Sequence, residues 1–206
     1  WVVLAIFGGA LSISSVEDLI YPALFVIAGF VAILSHEMGH ALVGRKLGGG
    51  QQTIVLELFG GLTSSHGMQL TRGGRALMIL AGPMMTLLLG IISLGLTWNI
   101  VAPVMTSYNL NFWDLAISPF TAALISPKLY ILSCLIMIGE WWTILNLLPI
   151  YPLDGGQLIA QYIRSPRKVF MTGFITAILI GLLSFQLFHG YFIPIFMALF
   201  AYSNYR

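Results

Sequence analysis

Charge is what this sequence has least of. Only 8% of its 206 residues are Asp, Glu, Lys or Arg, and 58% are hydrophobic. A soluble domain carries about 25% charged residues, so the composition excludes an ordinary soluble domain and predicts a multi-pass protein of the lipid bilayer. The net charge of +2 is too small to point to nucleic acid as a partner. Cysteine is nearly missing as well. The single Cys134 cannot close an internal disulfide and reads as a small packing residue. No internal repeat or low-complexity segment stands out. The chain opens on Trp1, already apolar, and we expect further residues upstream of it.

The ionisable residues that are present fall in informative places. His36-Glu37-Met38-Gly39-His40 sits inside an apolar run that starts near Tyr21 and stops at Arg45-Lys46. Histidines at i and i+4 share one face of a helix, about one turn apart. That spacing lets two imidazoles hold one Zn²⁺ with the glutamate between them placed beside the metal as a base. With four histidines and four glutamates in 206 residues, H-E-x-x-H is expected by chance about 0.002 times. Ionisable groups inside a span are expensive and mark function by default.

The chain in order predicts an all-α membrane protein of about six transmembrane helices, with a small strand or hairpin element near residues 53–63. Residues 1 to about 15 are a short apolar segment, followed by a water-facing Glu17-Asp18. The second helix runs from Tyr21 to about Leu47 and stops at Gly48-Gly49-Gly50. Thr53–Phe59 is β-branched and aromatic, too short to span, and predicts a strand, with a turn at Gly60-Gly61. Ser64-Ser65-His66-Gly67 and Thr71–Arg75 read as polar loop and link. Ala76 to about Val101 is the third helix, with Ala81-Gly82-Pro83 in its first turns. Residues 103–127 read as a loop. Lys128 to about Leu148 is the fourth helix, broken by Pro149 and Pro152. A short helix runs from Asp154 to near Arg164. Val169 to about Phe188 and Ile193 to about Tyr202 are the fifth and sixth.

Alternating spans put Arg45, Lys46, Arg72, Arg75, Arg164, Arg167, Lys168 and Arg206 on one side and Lys128 alone on the other. By the positive-inside rule the eight face the cytoplasm. The histidines then lie five to nine residues, roughly 8–14 Å, into the membrane from that side.

Two histidines leave a catalytic zinc one protein ligand short. His189 falls on the opposite side of the membrane. Asp154 lies on the same side as the motif, at the start of a short helix where the dipole favours a carboxylate. Gly155 and Gly156 leave room for close backbone approach. Position alone allows two readings of Asp154, a helix N-cap or the third ligand. His66 reads as a solvated loop histidine or a gating contact. Glu140, beside Trp141-Trp142, reads as a paired or interfacial acid or as part of a water path.

Asn146-Leu147-Leu148-Pro149-Ile150-Tyr151-Pro152-Leu153-Asp154-Gly155 matches N-x-x-P-x-x-P-x-D-G. Together with H-E-x-x-H, 114 residues upstream (154 minus 40), it resembles the site-2 protease family of intramembrane zinc metalloproteases. The resemblance covers most of the chain, including Gly60-Gly61 and Ala81-Gly82-Pro83. It implies a single integral-membrane metalloprotease domain over 1–206, truncated at both ends, with one Zn²⁺ per chain held by His36, His40 and Asp154. It implies Glu37 as the catalytic acid/base for attack of a zinc-activated water on a peptide carbonyl. It places Asn146 and Pro152 near the active site, in substrate binding or transition-state support. It also implies membrane-spanning protein substrates, cut within or near their spans in regulated intramembrane proteolysis. A prokaryotic plasma membrane suits so compact a chain, with the active site toward the cytoplasm. The 25-residue stretch at 103–127 has no room for a PDZ domain, which places the resemblance in the compact branch. Some compact relatives carry a C-terminal nucleotide-binding regulatory domain, and such a domain or a regulatory membrane partner is an expected addition to this chain. One position departs from the pattern: many relatives have asparagine three residues after A-G-P, and here it is Thr86, which we read as a difference in helix packing. Three competing classes are a membrane zinc transporter, an inactive helix-binding scaffold and a prenyl-protein peptidase. The clustering of ligands at one depth, the intact H-E-x-x-H and the N-x-x-P-x-x-P-L-D-G stretch disfavour them in turn.

Overall fold

Runs of apolar residues long enough to satisfy their own backbone hydrogen bonds fold as helices, because a bilayer offers no other partner. The computed structural model describes Ala5 and residues 15–48, 50–57, 60–67, 69–108 and 119–205. A 3-10 turn at Glu17–Leu19 leads into α1 (Ile20–Gly48). Strands β1 (Gln51–Glu57) and β2 (Gly60–His66) follow. Then come α2 (Arg72–Tyr108), α3 (Pro119–Ala123), α4 (Pro127–Asn146), α5 (Asp154–Ala160), α6 (Pro166–Phe188) and α7 (Phe192–Tyr205). This is a multi-pass membrane protein with, among the described residues, one small antiparallel sheet of two strands.

Four helices among the described residues are long and apolar enough to cross a membrane: Ile20–Gly48, Arg72–Ile100, Pro127–Asn146 and Pro166–Leu187. The expected count of about six is not confirmed among the described residues. The first expected span lies almost wholly outside the described residues. The sixth is α7, whose 14 residues fall short of the roughly 20 a span needs.

Several boundaries differ from expectation for local reasons. The third helix starts at Arg72, not Ala76, because Thr71 caps it: Gly74 N–H donates to Thr71 Oγ1 at 3.1 Å, three residues into the helix as an N-cap requires. It also runs through Pro103 to Tyr108, so the start of the expected 103–127 loop is helical; proline is tolerated in such helices. Ser64–His66 is not loop but the end of β2. Gly60 pairs with Glu57 in the ladder, so the turn is not at Gly60-Gly61; residues 58 and 59, between the strands, lie outside the described set. The helix from Asp154 ends at Ala160, short of Arg164. Ser126 caps α4 through Leu129 N–H at 3.3 Å, and Ser165 with Pro166 opens α6, proline being well suited to a first helical position.

The chain divides into two compact units, residues 1–69 with 81–143 and residues 70–80 with 144–206. In the first, Phe25, Ala28, Tyr130 and Cys134 form a buried cluster joining α1 to α4. The Tyr21 ring meets Tyr130 edge-on at 5.1 Å, and the Tyr21 hydroxyl donates to the Ala123 carbonyl at 3.1 Å. In the second, Ile150, Ala177, Met197 and Ala201 form the core. There Asn204 Nδ2 donates to the Tyr151 carbonyl at 2.6 Å. The Tyr151–Pro152 peptide is cis.

Candidate metal centre

The histidine motif lies in the second half of α1, on its buried face. His36, Glu37, Gly39 and His40 are all buried, while Met38 is exposed. The helical period accounts for this: 36, 37 and 40 share a side, and 38 points away. His36 Nε2 and His40 Nε2 lie 3.1 Å apart, with the rings edge-to-face at 4.8 Å between centroids. The two nitrogens converge on a common point, as two ligands of one ion must.

Helix α2 makes the other wall through residues without bulk. A Cβ on Gly39 would overlap the Ala81 carbonyl, and one on Gly82 would overlap the His40 ring and come within 2.9 Å of His36 Nε2. Both positions therefore need glycine, and the unspecified fourth letter of the motif is fixed by packing. Pro83, also buried, accepts a bond at its carbonyl from Thr143 Oγ1 at 3.2 Å. Further along, Gly139 of α4 lies against Gly90 and the Thr86 carbonyl. Small residues are what allow such close helix contact inside a membrane.

The hairpin covers the glutamate. Alternation along the ladder pairs Ile54 with Thr63 and Leu56 with Gly61, which puts these four on one face of the sheet. Thr63 Oγ1 on that face donates to Glu37 Oε2 at 2.6 Å. A Cβ on Gly61 would lie 2.6 Å from Glu37 Cδ and 2.7 Å from its Oε1. A partnerless buried carboxylate would be costly, and the Thr63 hydroxyl supplies the partner.

Asp154 is buried and is the first residue of α5. The N-cap position is Leu153, so Asp154 sits one residue inside the helix. Gly155 and Gly156 press against the Leu147, Leu148 and Ile150 carbonyls, where a Cβ would overlap backbone. His36 and His40 meet in the first unit and Asp154 is buried in the second, and each could offer a metal one ligand atom. Two imidazoles and a carboxylate, all buried, are a donor set that fits a zinc with an open position.

Asn146 is the last residue of α4 and is buried. Pro152 is exposed, and its carbonyl accepts from Gln157 Nε2 at 2.9 Å. His66 is exposed at the end of β2, Glu140 is exposed on α4, and His189 caps the C-terminus of α6 with a left-handed backbone (φ 51°). Thr86 is the residue the sequence undervalued. It is completely buried, and its Oγ1 lies 3.0 Å from His36 Nδ1. The available signal was its spacing, four residues from Gly82 and so on the same helix face.

A family model described as peptidase family M50 matches residues 24–188. A zinc metalloprotease of Methanocaldococcus jannaschii is 29% identical over 203 residues, covering 93% of this chain and 51% of that protein. Rip3 of Mycobacterium tuberculosis is 30% identical over 132 residues, covering 64% of this chain and 29% of Rip3. The chain thus spans about half the length of the first relative and less than a third of the second. The solved site-2 protease from Methanocaldococcus jannaschii has the same fold: TM-score 0.60, 24% identity, 99% of this chain and 84% of that one covered.

Proposed function

The chain belongs to peptidase family M50, the site-2 protease family, and from that premise we propose that it is an intramembrane zinc endopeptidase cutting membrane-spanning segments of other proteins. The observation that carries this is the convergence of His36 Nε2 and His40 Nε2 within 3.1 Å, beside a buried Glu37 whose carboxylate is held by Thr63. Transport needs ligands spread along a path; it does not need a glutamate fixed beside the ligand point.

In this reading His36, His40 and Asp154 hold one zinc. When bound, zinc supplies Lewis acidity, which lets water lose a proton near neutral pH and polarises the carbonyl under attack. Glu37 is the proton carrier. Thr63 engages Oε2, which leaves Oε1 to take the proton from water and return it to the leaving amine. Asn146 is proposed as a hydrogen-bond donor to the developing oxyanion, and Pro152 as a shaping residue of the loop before Asp154.

A helical substrate hides its carbonyls in its own hydrogen bonds and must unwind before attack. Among the described residues the two-stranded sheet pairs on one side of each strand only, and we propose that an unwound substrate adds to it as a further strand. Across the four spans seven basic residues fall on one side and Lys128 on the other, which supports a cytoplasmic active site, and the compact chain suits a prokaryotic plasma membrane.

The test is cleavage of a co-expressed membrane-spanning substrate by the wild type and by Glu37→Gln, with metal content measured on both. The expected result is about one zinc per chain in each and cleavage only by the wild type. Two zinc-loaded proteins that both leave several substrate helices intact, with zinc flux dependent on His36, would overturn the reading in favour of transport.

A further inference from the structure

A histidine binds a metal through one ring nitrogen, and the hydrogen bond made by the other decides which nitrogen is available. For His36 that second bond is to Thr86: Nδ1 and Oγ1 are 3.0 Å apart, both buried. Thr86 Oγ1 is also 3.0 Å from the Gly82 carbonyl oxygen, one helical turn back. A hydroxyl has one proton, and a carbonyl can only accept. The proton therefore goes to Gly82, and toward His36 the oxygen is an acceptor. His36 must then carry its own proton on Nδ1, which leaves the Nε2 lone pair facing His40 Nε2 and the ligand point.

We propose that Thr86 is the positioning residue that fixes His36 in the Nδ1–H tautomer and so presents Nε2 to the metal. This rests on the zinc-protease reading for its purpose and on the three-atom chain of Gly82 O, Thr86 Oγ1 and His36 Nδ1 for its substance. The device is stiff at each joint. A β-branched side chain in a helix has few χ1 rotamers, and the bond to the carbonyl four residues back selects one. Gly82, at the base of the chain, is also the residue whose missing Cβ makes room for both imidazoles. One turn of α2 thus sets both where the His36 ring sits and which nitrogen it offers. The residue that departs from the expected asparagine takes part in the metal site rather than in helix packing alone.

The experiment compares wild type, Thr86→Val and Thr86→Ser, each as the full chain in lipid nanodiscs. Zinc affinity is measured by competition with a chelator. The tautomer is read on the metal-free proteins by ¹⁵N NMR of labelled histidine, with His36 assigned by its loss in His36→Gln. Thr86→Val keeps the shape and removes the acceptor, and should lose about 10- to 100-fold in zinc affinity. Thr86→Ser should stay within about 3-fold of wild type, which a purely steric role would not restore. Wild type and Thr86→Ser should show a protonated Nδ1 and a bare Nε2, and Thr86→Val should lose that preference. A wild-type His36 protonated on Nε2, or a Thr86→Val variant that binds zinc as tightly as wild type, would overturn the inference. A wild type that binds no zinc would sink the protease reading instead, while the metal-free tautomer would still decide the role of Thr86.

Discussion

Gly82→Ala should damage the metal centre more than any other single methyl group added to α2. The added Cβ would sit 2.9 Å from His36 Nε2 and nearer still to the His40 ring, where ordinary contact begins at 3.4 Å. Relief at His36 alone needs a shift of 0.5 Å (3.4 minus 2.9), and His40 needs more. The rings have little freedom to give way. His36 is tied to Thr86, and Gly39 already has its backbone against Ala81 and Gly82. Zinc–nitrogen distances are about 2.0–2.1 Å, with a tolerance of about 0.2 Å, so a displacement of this size weakens at least one ligand bond. Losing a neighbour that merely orients a ligand costs about 10- to 100-fold in affinity. Displacing the ligand itself should cost at least about 100-fold, or about 2.8 kcal/mol. The assay is chelator competition on purified protein, with a thermal melt beside it to establish that the variant is folded. Gly95→Ala is the matched control, since it adds the same methyl to the same helix with nothing within 4 Å. A folded Gly82→Ala protein with zinc affinity within about threefold of Gly95→Ala would refute the packing argument.

Two further outcomes follow from named contacts. Thr63→Val should keep zinc and lower kcat about 10- to 100-fold, because a hydrogen bond to a charged partner is worth about 1.5–3 kcal/mol. Thr63→Ser should recover most of the rate, and equal rates for Thr63→Val and wild type would show that the hairpin does not hold Glu37. Asn204→Leu should destabilise the protein by about 1–3 kcal/mol, read by unfolding in mixed micelles. It leaves the Tyr151 carbonyl without the 2.6 Å bond from Nδ2, and unchanged stability would show that this carbonyl has another partner.

The parts of this molecule that depend on period and composition were legible in the sequence. H-E-x-x-H could be placed on a buried helix face because 3.6 residues per turn leaves no other arrangement. Arg45 and Lys46 marked the end of that helix, and Gly48 is its last residue. Position narrowed Asp154 only to cap or ligand, because both readings put it at a helix start, and the N-x-x-P-x-x-P-x-D-G resemblance is what favoured ligand. A strand or hairpin was legible, but the extent of the second strand was not. Gly60–His66 carries two glycines, two serines and a histidine, a composition that reads as loop, and it becomes a strand by pairing with β1. Thr63 was missed, and Thr86 was read as helix packing alone, for a different reason. Each acts through a hydroxyl on a residue 50 or 26 positions away, and no local pattern encodes such a pairing. The extra length of α2 was hidden by Gly73-Gly74, which look like a break until Thr71 is seen to cap them.

Cys134 has a consequence for how this protein can be studied. It is the chain's single thiol, it has no exposed surface, and Phe25, Ala28 and Tyr130 close over it. A buried thiol in apolar surroundings is inert toward water-borne alkylating reagents, so these 206 residues are already a silent background for site-specific labelling. A cysteine introduced at Val55, exposed on β1, would be the reactive handle within these 206 residues, and a fluorophore or spin label there would report on the hairpin as a substrate segment arrives. The same thiol works in reverse as a witness of integrity. If Cys134 begins to react, the α1–α4 core has opened, and a preparation of these 206 residues that labels without an added cysteine is no longer native.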